Sequence, residues 1–204
     1  MKKINIIHES DNAYRRRVGI SNSALKHIRR SPLHYRAAMD APSTDTPTLA
    51  FGRLVHSLVL LNEPGFVAIK PDDMSFATKE GKAWKQEQVG LGRTIHTQEE
   101  WQNACGITGA IQSHEEASSL LDLCNYREIT VTDEVAGHIL KSRLDAYGPE
   151  AKLLMDLKTT EDASHRGFLN SIRRYRYDRQ AAFYSMMTGE ECRFIFRSEE
   201  HTSE

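Results

Sequence analysis

The chain has 204 residues, 39% hydrophobic and 27% charged, with a formal net charge of −1. That is enough chain to bury a core without disulfides or a structural metal, and no apolar stretch approaches the length of a membrane span. Near-neutral charge excludes a uniformly basic nucleic-acid coat, although basic residues cluster locally at Arg15–Arg17, Lys26–Arg30 and Arg173–Arg179. Read singly, each cluster is as readily a solvated helix face as a functional stripe, and local basic stripes in a near-neutral chain suit a protein that grips phosphates in a groove. Met1 to Glu9 lacks the apolar region and cleavage site of a secretory leader, so a cytoplasmic location is the default expectation. Cys105, Cys124 and Cys192 are too scattered for a disulfide framework or a CxxC metal site, and are expected to be buried thiols.

In chain order, Ser21–Asn22–Ser23 is a capping sequence for a helix over Ala24–Arg30. Ser31–Pro32 ends that helix and starts another over Leu33–Met39. Residues 40–48 have loop composition. Leu54, Val55, Leu58, Val59 and Leu61 form a helical stripe within Leu49–Leu61, which Pro64 closes. A short strand is expected at Phe66–Ile69, then a polar helix around Lys79–Gln88. Glu99–Leu123 reads as one long helix interrupted by Gly106 and Gly109. From Tyr126 the period becomes two. A turn at Asp133–Gly137 separates the first strand from one over His138–Tyr147, and Gly148–Pro149–Glu150 turns into a third over Ala151–Lys158. Asp162–Gly189 is helical again, and Cys192–Phe196 opens a fourth strand. This order predicts an α/β or α+β domain with a central mixed sheet flanked by helices.

The third strand reads Leu153–Leu154–Met155–Asp156–Leu157–Lys158, an apolar run broken by an acid and a lysine. Strand periodicity puts Asp156 and Lys158 on one face and Met155 and Leu157 on the other. Buried charge is expensive unless paired or holding a metal, so a metal site is one reading and a solvated strand face is the plainer one. His56 alone is a helix residue satisfied locally, Gln180 and Tyr184 alone are i,i+4 partners, and Asp145 alone is turn chemistry.

Together, however, Asp145, Asp156–Leu157–Lys158, the Gly52–x–x–x–His56 helix and the Gln180–x–x–x–Tyr184 helix resemble the PD-(D/E)xK nuclease superfamily in its RecB-like branch. Ile20–Ser23, Ser31–Tyr35, Phe51–Gly52, Asp156–Thr160 and Tyr175–Gln180 resemble the RecE-type, exodeoxyribonuclease VIII family within it. The resemblance implies a restriction-endonuclease-like core over residues 1–196 and a catalytic set of Asp145, Asp156, Lys158, Gln180 and Tyr184. It implies Mg²⁺, with Mn²⁺ as an alternative, held by His56, Asp145, Asp156 and the Leu157 carbonyl. Hard oxygen donors suit such an ion, and a lysine beside it would offset negative charge on a phosphate. Glu128 is either an additional acid or the outward residue of an edge strand. Arg173, Arg174, Arg176, Tyr177 and Arg179 are expected to contact DNA, the arginines through phosphates and tyrosine by stacking on an unpaired base.

The family further implies a metal-dependent exonuclease that digests linear double-stranded DNA 5′→3′ in phage or bacterial recombination. A single-strand annealing partner and a homo-oligomeric ring come with it. Another RecB-like repair nuclease or a non-cleaving DNA-binding module are the rival readings. No cysteine precedes Cys105, so no iron–sulfur cluster is expected. Residues 197–204 resemble the translation of a sequencing adapter, which predicts a strand broken off at Arg197 and a missing natural C-terminus.

Overall fold

The computed structural model describes residues 4–41, 46–63, 66–160, 162 and 164–198, with 191–198 described as backbone alone. The chain opens with β1 (Asn5–Ile7), α1 (Asp11–Arg16), α2 (Asn22–Ile28) and α3 (Pro32–Asp40). Each of these three helices starts where a serine hydroxyl (Ser10, Ser21, Ser31) accepts an otherwise unsatisfied backbone N–H. Next come α4 (Pro47–His56), a π-helical turn over Ser57–Leu61, β2 (Val67–Ile69), α5 (Lys79–Gly90) and β3 (Thr94–His96). They are followed by α6 (Gln98–Ser113), α7 (Glu115–Asp122), β4 (Tyr126–Val135), β5 (His138–Gly148) and β6 (Leu153–Thr160). The series ends with α8 (His165–Tyr175), α9 (Tyr177–Thr188) and β7 (Glu191–Ser198).

The chain divides into two compact units. The first comprises Met1–Thr44, Ser119–Lys158 and Ala163–Phe196, and holds a five-stranded sheet in the order β1-β4-β5-β6-β7. The β1–β4, β4–β5 and β5–β6 ladders are antiparallel. The β4–β5 hairpin closes through Ala136 and Gly137, at φ 51° and 75°, a two-residue loop whose left-handed backbone matches the strand twist. Ile20 adds an isolated parallel bridge to Leu140. The core packs Ile129, Val131, Leu140, Leu144, Tyr147 and Leu154 of the sheet with Phe183 and Met187 of α9. Each such side chain contributes about 1.5–3 kcal/mol by leaving water.

The second unit, chiefly Asp45–Ser118, has a parallel β2–β3 pair and buries Phe51, Leu54 and Val55 of α4 with Ala104, Ile107 and Ile111 of α6. Thr97 and Glu100 cap α6 reciprocally.

Several sequence expectations shift here. The helix expected at Leu49 begins at Pro47, because Thr46 caps it. The stripe through Leu58, Val59 and Leu61 changes phase at the π turn, which uses an extra residue per turn. Leu60 is buried instead and Leu61 is 44% exposed. The long helix over Glu99–Leu123 breaks at His114, not at its glycines, since the His114 ring nitrogen accepts the Ala117 N–H and starts α7. The Asp162–Gly189 helix splits at Arg176, which is left-handed at φ 59°. Cys105 is exposed and only Cys124 of the described thiols is buried. β7 runs through Arg197 to Ser198, so the strand does not break at Arg197. Pro64 and residues 199–204 lie outside the described residues.

Candidate active site

The first unit gathers its chemistry around Asp145. The β5–β6 ladder runs Gly148 to Leu153, Tyr147 to Leu154 and Ala146 to Met155. One rung further would set Asp145 opposite Asp156, and there regular pairing gives way: Asp145 Oδ2 accepts the Leu157 N–H at 2.8 Å. On the other side, the β4–β5 ladder pairs Arg127 with Ala146 and Ile129 with Leu144 but skips Glu128, whose φ is 47°. A non-glycine residue in that region costs about 1–2 kcal/mol, so the packing around it must hold it there. The strand carrying Asp145 is therefore released from its ladder on both sides at that residue.

Asp156 is 1% exposed and shares its carboxylate between two donors. Lys158 Nζ binds Oδ2, and Gln180 Nε2 donates to Oδ1 at 2.5 Å. Gln180 Nε2 also donates to the Tyr184 hydroxyl at 3.1 Å, and that hydroxyl donates to the Arg143 carbonyl at 3.1 Å. Helix α9 thus fixes the Asp156 carboxylate through residues one turn apart. The left-handed Arg176 that starts α9 is held by a two-point contact of its guanidinium with Asp178, at 3.0 and 2.9 Å.

The electrostatics fix protonation states. Burial pulls the Lys158 ammonium down, but Asp156 and Asp145 outweigh it and leave its pKa above the usual lysine value, so it is a cation. Burial, then the charges of Asp156 and Asp145, push the Tyr184 phenol well above its ordinary range, so it remains a hydrogen-bond donor. Burial also raises Tyr177, whose ring centroid lies 5.3 Å from Lys158 Nζ.

The other predicted residues are placed as follows. Glu128 lies on β4, which is an interior strand and not an edge strand, at a position past the β1 ladder, which ends at Thr130; Arg143 Nε binds its carboxylate at 2.8 Å. Arg143 Nη1 also donates to the Glu9 carbonyl at 3.0 Å, and Arg17 grips the Glu9 carboxylate at 2.8 and 2.9 Å. The five predicted DNA contacts separate: Tyr177 stands over Lys158, Arg176 is engaged by Asp178, and Arg179 Nε donates to Asn22 Oδ1 at 2.9 Å. Arg173 and Arg174 are exposed near the end of α8. His56 ends α4 in the second unit. Glu9, Lys141 and Arg143 have no site role in the sequence reading, and Arg17 stands there only within the Arg15–Arg17 cluster, because their partners lie more than a hundred residues away along the chain or have no periodic signature.

A divalent cation fits this donor set, because Asp145 and Asp156 offer buried carboxylate oxygens, the hard donors such an ion takes.

A hairpin that places Asp on one strand and Asp-x-Lys on the next, with Gln and Tyr reaching in from the following helix, has the architecture of the PD-(D/E)xK class. The chain belongs to the family described as PDDEXK-like domain of unknown function (DUF3799), whose model matches residues 21–201. The fold is also similar to the crystal structure of a "putative exonuclease" from Eubacterium rectale, with a TM-score of 0.60 at 18% identity. The match covers 94% of this chain and 71% of that one. No curated protein matches the chain. The sheet flanked by helices is accordingly a restriction-endonuclease-like core.

Proposed function

We propose that this protein is a metal-dependent DNA exonuclease that hydrolyses phosphodiester bonds of linear double-stranded DNA. The observation that carries the reading is the shared carboxylate of Asp156, bound at once by Lys158 and by Gln180 of the following helix. A bound divalent ion, Mg²⁺ by ligand hardness or Mn²⁺, would act as a Lewis acid on the phosphate. Asp145, Asp156 and the Leu157 carbonyl are its proposed ligands in the first unit, and the resemblance adds His56 as a nitrogen ligand and Glu128 as a further acid.

The chain's own groups then divide the work. Lys158, held against the Asp156 carboxylate, offsets charge developing on the phosphate and orients the attacking water. Gln180 and Tyr184 fix the Asp156 carboxylate so that its geometry is set before substrate arrives. The RecE-type resemblance supports 5′→3′ polarity, a role in phage or bacterial recombination, an annealing partner and a ring-shaped assembly.

The test is digestion of end-labelled linear duplex with Mg²⁺, beside Asp156→Ala and Lys158→Ala. Loss of cleavage by about 100-fold or more in both variants is expected. Equal digestion by all three proteins would overturn the assignment. Nicked and circular duplexes run in parallel separate an exonuclease, which needs an end, from a repair nuclease that does not. His56→Ala should weaken Mg²⁺ affinity in a metal titration read by thermal shift, and an unchanged titration removes His56 from the ligand set.

A further inference from the structure

The site described above leaves one large feature unused. Residues 12–39 contain Arg15, Arg16, Arg17, Lys26, Arg29, Arg30 and Arg36 with His27 and His34, and not one acid, in a chain where roughly one residue in seven is Asp or Glu. Arg15 and Arg17 are engaged by Asp11 and Glu9, outside that stretch. Lys26, Arg29 and Arg30, on and just after α2, are exposed, and among the described residues no carboxylate lies within ion-pair distance of them.

This basic helix is tied to the site helix. Asn22, in the first turn of α2, accepts from Arg179, the residue beside Gln180 on α9. Burial, and then the positive charges of Arg176 and Arg29, pull the Arg179 guanidinium below its ordinary pKa. Lys26, Arg29 and Arg30 thus follow one another without interspersed acid and lead to Arg179, whose neighbour Asp178 is engaged by Arg176. A solvated helix face ordinarily mixes signs, because like charges at helical spacing repel and destabilise. Uncompensated like charge of this kind suits an anionic partner that supplies the missing negative charge. From Asn22 to Ile28 the helix advances about 9 Å. That is the rise of about three nucleotides of one strand of a duplex.

We propose that Lys26, Arg29 and Arg30, continued by Arg179, form a strip that binds the phosphate backbone of duplex DNA alongside the helix that carries Gln180. The strip rests on the DNA-nuclease reading and adds α2 to it, apart from the arginines at the end of α8.

The experiment is equilibrium binding of a fluorescein-labelled linear duplex in EDTA across a series of NaCl concentrations. Wild type is compared with Lys26→Ala/Arg29→Ala/Arg30→Ala and with the charge-keeping variant Lys26→Arg/Arg29→Lys/Arg30→Lys. Each phosphate that the protein ceases to neutralise lowers the slope of log K against log salt by about 0.9, so the triple alanine variant should fall by about two to three in slope and about tenfold or more in affinity at low salt. The charge-keeping variant should keep the slope. Circular dichroism and Mg²⁺-dependent thermal shift establish that the variants are folded. If the triple variant does not fold, the three single alanine variants, each expected to fall by about 0.9 in slope, decide the matter. A wild type that binds and cuts duplex, with a triple alanine variant whose slope and affinity are unchanged, overturns the strip and leaves the nuclease intact. A wild type that neither binds nor cuts overturns both.

Discussion

Gln180→Leu tests whether the site helix is joined to the carboxylate as the geometry requires. The substitution keeps side-chain bulk but removes the 2.5 Å donation to Asp156 and the 3.1 Å donation to Tyr184. A hydrogen bond to a buried charged acceptor contributes about 1.5–3 kcal/mol, and the neutral one about 1 kcal/mol. Leucine recovers a few tenths by burial, so the expected cost is about 2–3 kcal/mol in EDTA. Tyr184→Phe loses its donation to Arg143 and its acceptance from Gln180, for about 1–2 kcal/mol. Because the two residues share one bond, the double variant should fall short of additivity by about 0.5–1 kcal/mol. Urea unfolding followed by far-ultraviolet circular dichroism is the assay. Fluorescence would report the wrong place, since Trp84 on α5 and Trp101 on α6 both lie in the second unit. A Gln180→Leu protein within about 0.5 kcal/mol of wild type, or a cycle with no coupling, would refute the described network.

Three other outcomes follow from residues around it. Lys141, 8% exposed, caps the end of α1 by donating to the carbonyls of Arg17 at 2.6 Å and Tyr14 at 3.0 Å, so Lys141→Met should cost about 1–3 kcal/mol. Hydrogen-exchange protection should fall first across residues 5–17, and uniform loss over the whole chain would argue against a local cap. The Arg17 guanidinium holds Glu9 down from 4.5 to about 2, so its contribution is full above about pH 4.5 and disappears as pH falls toward 2. Glu9→Gln should flatten acid unfolding in that window, and an unchanged acid transition would contradict the pairing. A Cβ on Gly148 would lie 2.3 Å from the Leu123 carbonyl oxygen and 3.1 Å from Cys124 Cα, both backbone, so Gly148→Ala should cost at least about 2 kcal/mol in thermal unfolding.

The β4–β5–β6 meander was legible because its alternation is regular and its turns carry Gly137 and Gly148–Pro149. The pair Asp156 and Lys158 was legible for the same reason: polar residues stand out in an apolar strand. Gln180 and Tyr184 showed only as a spacing, and the structure supplies what spacing cannot, the donation to Asp156. β1 and α1 escaped notice because three residues of strand and six of helix are too short for periodicity to register. The π turn after His56 escaped for a different reason, since a stripe of leucines fits a continuous α-helix equally well until one residue is added to a turn. The Glu9–Arg143 contact joins residues 134 apart, and no local pattern encodes it.

The separation between β1 and its partner β4 also orders events in time. Asn5 pairs with Thr132 across 127 residues, whereas the β4–β5 hairpin closes over two. Closing a long loop delays a contact, so the meander that carries Asp145 and Asp156 should form before β1 arrives. Until then the Lys141 ammonium is in water, because the carbonyls that receive it travel with α1. Ile6→Val should accordingly speed unfolding while leaving the folding rate nearly unchanged, and a slowed folding rate would reverse the order. On this account the carboxylates are set in place early, and the amino-terminal segment is a clasp that closes last.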